Sequence, residues 1–340
     1  MSDFDYLTTL PGEDRERRWL QERLETLSVR EGIVLSAAVL RTAPEDMAQA
    51  VNCLQSLDDY DVRLDAGSYA ALGEAELHRK TTLPDSAMPF VDLAAMGRQY
   101  EIEHPGLFVG DCYVEYPEKN PQPAYQRGGP LPEDNGWSVR LKLSSATVPE
   151  GVWLCLPGQF NGDLDCTVDE VMTLRTLGTC GFDECALTEA RCILPEIGDL
   201  LQEYDCAGDL IYDGIELGIT LGQRGQGMPQ FMERFAAAME LENCHSLRLA
   251  MDIANNLHCY DWVSSGQESD FAAQRLQKKN VSDDFIRSGF IDLKGYSEEL
   301  LEQEGFQLAS GEVGYIRRNS QEFKYLFSDP APEQSGMTMQ

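Results

Sequence analysis

Basic residues are what this 340-residue chain has too few of: 27 Lys and Arg stand against 58 Asp and Glu, giving a formal net charge of −31. That balance excludes direct binding to nucleic acid or to an anionic membrane surface, because either would have to overcome long-range repulsion. Histidine is scarce as well, with four in all (His78, His104, His245, His258), so few bases are on hand for proton transfer. The ten cysteines include no Cys-x-x-Cys pair, which removes the main support for a zinc ribbon or a dithiol redox motif. No apolar run approaches the ~20 residues of a membrane-spanning helix. The polar opening segment predicts no secretory leader, and ten thiols in such a chain are expected to be reduced in a cytoplasmic protein.

What is present describes an ordinary folded protein, 42% hydrophobic and 25% charged. Patterning predicts an α+β chain of several small α/β modules strung into an elongated whole. The expected divisions are residues 1–85, 86–147, 148–222 and 223–320, followed by a flexible tail over 321–340. Within the first, helices are expected over 11–26, 42–57 and 69–78, and strands at Ile33–Leu40 and Tyr60–Leu64. A helix follows over Val91–Glu103, with strands at Phe108–Tyr116, Trp137–Leu143 (half-exposed) and Val152–Leu156. Beyond the Gly222–Gly227 loop, helices are read at 228–240, 246–257 and 295–304, and a last strand at Glu312–Arg317. No internal repeat of fixed period is evident.

Countercharge is missing most conspicuously between Glu150 and Gly222, where 15 Asp and Glu face only Arg175 and Arg191. Glu196, Asp199 and Glu203 recur at steps of three and four, as do Asp209, Asp213 and Glu216. If each trio is helical, its carboxylates share one stripe. The bland reading is the solvated outer face of an amphipathic helix; the functional one is a carboxylate row for a basic partner.

Other constellations carry less. Asp163, Asp165, Thr167 and Asp169 alternate like a calcium loop, but Val168 stands where the turn glycine belongs and Leu174 where the bidentate glutamate does. Cys244-His245 and His258-Cys259 hold enough ligands for zinc, yet lie about 20 Å apart along a helix, too far for one ion. GQRGQG lacks the Lys-Ser/Thr of a phosphate-binding loop. Glu298, Glu299, Glu302 and Glu304 could be paired acids, but nothing places a substrate beside them. No catalytic site, metal or cofactor is expected. The rival readings are a thiol enzyme and an acidic module that inhibits or binds another basic protein, such as another nuclease or a conjugation factor.

At Gly151–Pro157 (GVWLCLP), followed by Leu187–Gly214, the chain resembles the ArdA-family antirestriction proteins of mobile elements. Ile197, Gly198, Asp199 and Leu200 match the family's Ile-Gly-Glu-Tyr run, with Asp199 for the Glu and Leu200 for the Tyr. The resemblance continues at Asn255–Val263 (NNLHCYDWV), Ile291–Leu301 (IDLKGYSEELL) and Gly314–Ile316. Leu293 there replaces a Tyr, Ser297 a Gly, and the family's Arg is absent. It covers about residues 148–318 and leaves 1–147 outside. It implies an acidic, non-catalytic homodimer that imitates B-form DNA and occupies the DNA cleft of type I restriction-modification enzymes, at the methyltransferase core. Glu184, Glu189, Glu196, Asp199, Glu203, Asp205, Asp209, Asp213 and Glu216 would stand in for phosphates.

Overall fold

The computed structural model describes residues 4–84, 86–119, 121–134, 136–160, 166–225 and 230–329, and its fold is α+β. The chain divides into two compact units, residues 1–193 with 204–211, and residues 194–203 with 212–340. The expected divisions at 85, 147 and 222 are replaced, because each cuts through a formed element or sheet.

The first unit begins with α1 (Asp14–Glu25), α2 (Val29–Thr42) and α3 (Met47–Gln55). The Ile33–Leu40 run expected as a strand lies inside α2. Ser28 and Glu31 close a reciprocal capping box that starts this helix. Val34, Leu35, Ala37 and Ala38 then fall on its buried side, while Leu40 is exposed. Next come β1 (Asp61–Arg63), α4 (Tyr69–Lys80), α5 (Leu93–Glu103), β2 (Gly106–Val109) and β3 (Cys112–Glu115). The single strand expected over Phe108–Tyr116 is a hairpin, because Gly110 at φ 61° turns the chain between Val109 and Cys112. The sheet order is β1-β3-β2, antiparallel throughout, so the expected boundary at 85 would separate paired strands.

A second sheet has β4 (Val139–Ser144) between β5 (Val152–Cys155) and β6 (Ala186–Cys192), with α6 (Val168–Leu177) packed on β5. The expected boundary at 147 would cut this sheet. β4 is buried rather than half-exposed. Val139, Leu141 and Leu143 face the core, and Arg140 is sunk by a bidentate pair with Asp134 (2.5 and 2.9 Å). The main core joins α1, α2 and α3 to β1, β3 and α6.

Two helices follow, α7 (Leu200–Glu203) and α8 (Ala207–Gly225), and the division between units passes through α8. The expected boundary at 222 and the first residues of the expected GQRGQG loop are helical; residues 226–229, Met228 among them, lie outside the described residues. The second unit continues with α9 (Phe231–Leu241), α10 (Leu247–Asn255), β7 (Tyr260–Ser264), α11 (Glu268–Lys278), α12 (Asp283–Ile286), α13 (Leu293–Gln303), β8 (Gln307–Leu308) and β9 (Gly314–Arg318). Its sheet order is β7-β9-β8, again antiparallel.

The chain contains the same module twice, which the sequence reading missed. The order α3–β1–α4–α5–β2–β3 recurs as α10–β7–α11–α13–β8–β9, with α12 added and the same strand order. Met47, Ala50, Val51 and Leu54 correspond to Leu247, Ala250, Met251 and Ala254, a shift of 200 in residue number, and all eight are buried. Asp92 caps α5 and Asp292 caps α13 at the same shift. Even the segment after the last strand is secured alike. Asn52 clamps Tyr125 through both its amide atoms (2.9 and 2.8 Å). Asp252 accepts from the backbone N–H of Leu326, Phe327 and Ser328 and from the Ser328 hydroxyl. The expected flexible tail is therefore fastened as far as residue 328; residues 330–340 lie outside the described residues.

Candidate partner-binding surface

The nine predicted acids are divided between the units. Glu184, Glu189, Asp205 and Asp209 belong to the first, and Glu196, Asp199, Glu203, Asp213 and Glu216 to the second. The first trio does not form the expected helical stripe. Glu196 sits in a turn and Asp199 precedes α7, so only Glu203 is helical. Asp199 Oδ1 accepts the Leu201 N–H at 3.0 Å, and its Oδ2 accepts from the Gln202 side chain at 3.0 Å, so it caps α7.

The second trio does lie on one helix, α8, but the stripe turns inward. Asp213 sits among Leu210, Gly214 and Leu217 on the buried side and is itself 3% exposed. Arg248 Nε meets its Oδ2 at 2.7 Å, so the carboxylate is neutralised from α10. Asp213 is withdrawn from the phosphate-like row for that reason. Asp209 remains exposed in the first turn of α8, where the helix N-terminus favours negative charge, and Glu216 is half-buried.

Of the remainder, Glu189 on β6 pairs with Arg191 at 2.6 Å. Glu184, Asp205 and Glu203 are exposed. Partial burial raises the Glu203 carboxyl above its ordinary value, and the Asp213 charge adds to this against the opposing pull of Arg248. Apart from Glu189 and Asp213, none of the nine makes an ion pair among the described residues.

The first unit gathers its buried charge elsewhere. Arg23 pairs with Glu31 and, at 3.3 Å, with Asp134, which also holds Arg140. Arg30 reaches Asp169 and Asp58, each at 2.9 Å. Burial opposes ionisation of Glu31, but the Arg23 charge and hydrogen bond outweigh it and hold the carboxyl below the usual range. A cavity of about 350 Å³ opens beside these groups, with Trp137 and Tyr60 on its wall. Each of its arginines already has a carboxylate partner, so the network joins α1, α2, β4 and α6 rather than presenting free charge.

Five buried thiols are shifted away from the ionised, reactive form. Burial pushes Cys112 up to about 12 and Cys244 up to about 11, and moves Cys53, Cys155 and Cys259 in the same direction. Among the described residues no group of three His, Cys, Asp or Glu is placed to hold a metal ion; Asp163 and Asp165 of the calcium-like run lie outside them. Asp169 of that run serves Arg30 and the Gln159 N–H, the latter at 2.8 Å. No helix among the described residues is long and apolar enough to cross a membrane.

Two acids that the sequence reading passed over, Glu233 and Glu240, lie seven residues apart on one face of α9 and line a cleft together with Ala236, Ala237 and Glu196. The signal was the i, i+7 spacing on a helix read only for its apolar side. Compared with known protein families, curated proteins and solved structures, the chain matches none.

Proposed function

We propose that this chain is a non-catalytic cytoplasmic antirestriction protein. It mimics the charge of B-form DNA and, as a homodimer, occupies the DNA-binding cleft of a type I restriction-modification enzyme at its methyltransferase core. The observation that carries the reading is the set of carboxylates that make no ion pair among the described residues: Glu184, Asp205 and Asp209 in the first unit, and Glu196, Asp199, Glu203 and Glu216 in the second. Unpaired like charges cost stability in the free protein. A cleft shaped to receive one negative charge per roughly 1.7 Å of duplex gives them partners. The ArdA-family resemblance over about residues 148–318 supports the same target.

The test is competition. A purified type I methyltransferase core is titrated with this protein in the presence of labelled target DNA at low salt. DNA should be displaced, and displacement should weaken steeply as salt rises. DNA binding that is untouched at low salt would overturn the reading. In that case another basic protein becomes the partner, through the same carboxylates. The repeated module favours keeping that alternative in view, because its first copy, over 46–125, lies outside the resemblance and would supply a second contact surface.

A further inference from the structure

We infer that the cavity of about 350 Å³ in the first unit is a binding site for a neutral nucleoside whose base carries a ring carbonyl. Such a site is independent of the proposed antirestriction role.

Three arginines line the cavity, and each is more than nine-tenths buried: Arg23 (6% exposed), Arg30 (5%) and Arg140 (4%). Their charge is already compensated. Arg23 faces Glu31, Arg30 reaches Asp58 and Asp169, and Arg140 holds Asp134 through two bonds of 2.5 and 2.9 Å. Four carboxylates thus answer three guanidiniums. A phosphate or carboxylate ligand would enter without a free cation to receive it.

Their hydrogen bonding is incomplete. The Nε–H groups of Arg23 and Arg140 are both buried, and neither has an acceptor among the described residues. Asp134 Oδ1 stands 3.3 Å from the Arg23 Nε, but without the alignment of a hydrogen bond. A buried donor left unmet is costly, so two of them beside one cavity call for an uncharged acceptor. A ring carbonyl supplies two lone pairs and no net charge.

Apolar groups line the cavity as well. Leu54, Leu57 and Leu156 are buried there, and the Trp137 ring lies 4.5 Å from the Arg140 guanidinium. The Trp137 indole N–H is tied to the Asp134 carbonyl at 2.8 Å, which holds the ring in place. An aromatic and aliphatic lining suits a flat ring. Gln55, the last residue of α3, adds a side-chain amide that makes no hydrogen bond among the described residues. It offers both donor and acceptor, the complement of the N–H and C=O edge of a cyclic amide. Glu133 is exposed on the lining and makes no ion pair among the described residues. Its carboxylate can accept from ribose hydroxyls and would repel a phosphate.

The probes are inosine and uridine, titrated into the full-length protein while the NMR signals of the Arg23 and Arg140 Nε–H groups are followed. Purine riboside, which is inosine without its ring carbonyl, serves as control, and inosine monophosphate tests the preference for a neutral ligand. Saturable shifts of both Nε–H signals are expected with at least one of the two nucleosides. Purine riboside should bind at least about tenfold more weakly than inosine, and the monophosphate more weakly too. Gln55→Ala should weaken nucleoside binding about fivefold, with circular dichroism and the urea midpoint checking that its fold is intact. Absence of saturable shifts would mean that water alone meets the two donors, and would overturn the inference. So would equal binding of purine riboside, tighter binding of the monophosphate, shifts that spare both Nε–H groups, or unchanged affinity in Gln55→Ala.

Discussion

Asp252 fastens the end of the described C-terminal segment. It is fully buried, and its two oxygens take three backbone N–H groups and one hydroxyl from the segment 326–328. Asp252→Ala should leave several donors unpaired at once and cost about 3 kcal/mol in urea unfolding. It should also make the chain after residue 322 an early site of proteolytic cleavage. Asp252→Asn should lose less, because Asn52 does the equivalent work in the first module with an amide. Glu76 supplies a pH-dependent test at the same scale. Hydrogen bonds from Arg79, then from Lys80, hold its carboxyl down to about 2 from an ordinary 4.5. The folded value lies below the unfolded one, so its contribution is complete above pH 4.5 and is lost as pH falls toward 2. Arg79 and Lys80 are half-exposed, which keeps the effect near 1 kcal/mol. Glu76→Gln should flatten the acid limb of a stability–pH profile by that amount; an unchanged limb would show that the pair is silent.

At the scale of elements, the crossing of α4 and α5 depends on what two residues lack. A Cβ at Gly73 would stand 1.9 Å from the Leu93 carbonyl oxygen, and one at Gly97 1.9 Å from that of Tyr69. Gly97→Ala should therefore force the helices apart and cost about 2 kcal/mol in equilibrium unfolding. In the second module Ser297 stands at the position of Gly97 and is buried, so α11 and α13 accommodate a side chain there. Ser297→Ala should change stability by less than about 1 kcal/mol, and the contrast between the two substitutions is the readout. The same pair explains why the duplication was hard to read. Small residues keep their role but not their identity. The shift of 200 that aligns Tyr60 with Tyr260 becomes 202 once Tyr113 is set beside Tyr315, so no fixed period survives. Patterning did place α3, α9 and α10 by their apolar faces, since those faces are what folding buries. It failed at Ile33–Leu40, where a short apolar run satisfies strand and helix alike, and the deciding signal was Ser28 with Glu31 three residues on. It failed at Asp213 for a different reason. Spacing shows that 209, 213 and 216 share a face, but not that Arg248 waits on α10 to let that face turn inward.

For the molecule as a whole, the decisive quantity is how much of the −31 charge is uncompensated. Arginines are spent largely on buried or local partners, such as Arg30 with Asp169 and Arg248 with Asp213, and exposed acids like Glu184, Asp205 and Asp209 make no ion pair among the described residues. Two effects of salt then compete. Screening weakens the surface ion pairs, each worth about 1 kcal/mol or less, and it also relieves repulsion among the unpaired acids. With acids outnumbering bases 58 to 27, the second effect should win. The Debye length falls from about 30 Å at 0.01 M to about 8 Å at 0.15 M, which separates most neighbouring surface charges. The melting temperature at pH 7 should therefore rise by several degrees over that interval, whereas binding to a basic partner should weaken over the same interval. A melting temperature that falls with salt would mean that the surface carboxylates are held in favourable pairs. A protein so paired would have no unspent charge to offer a DNA-binding cleft.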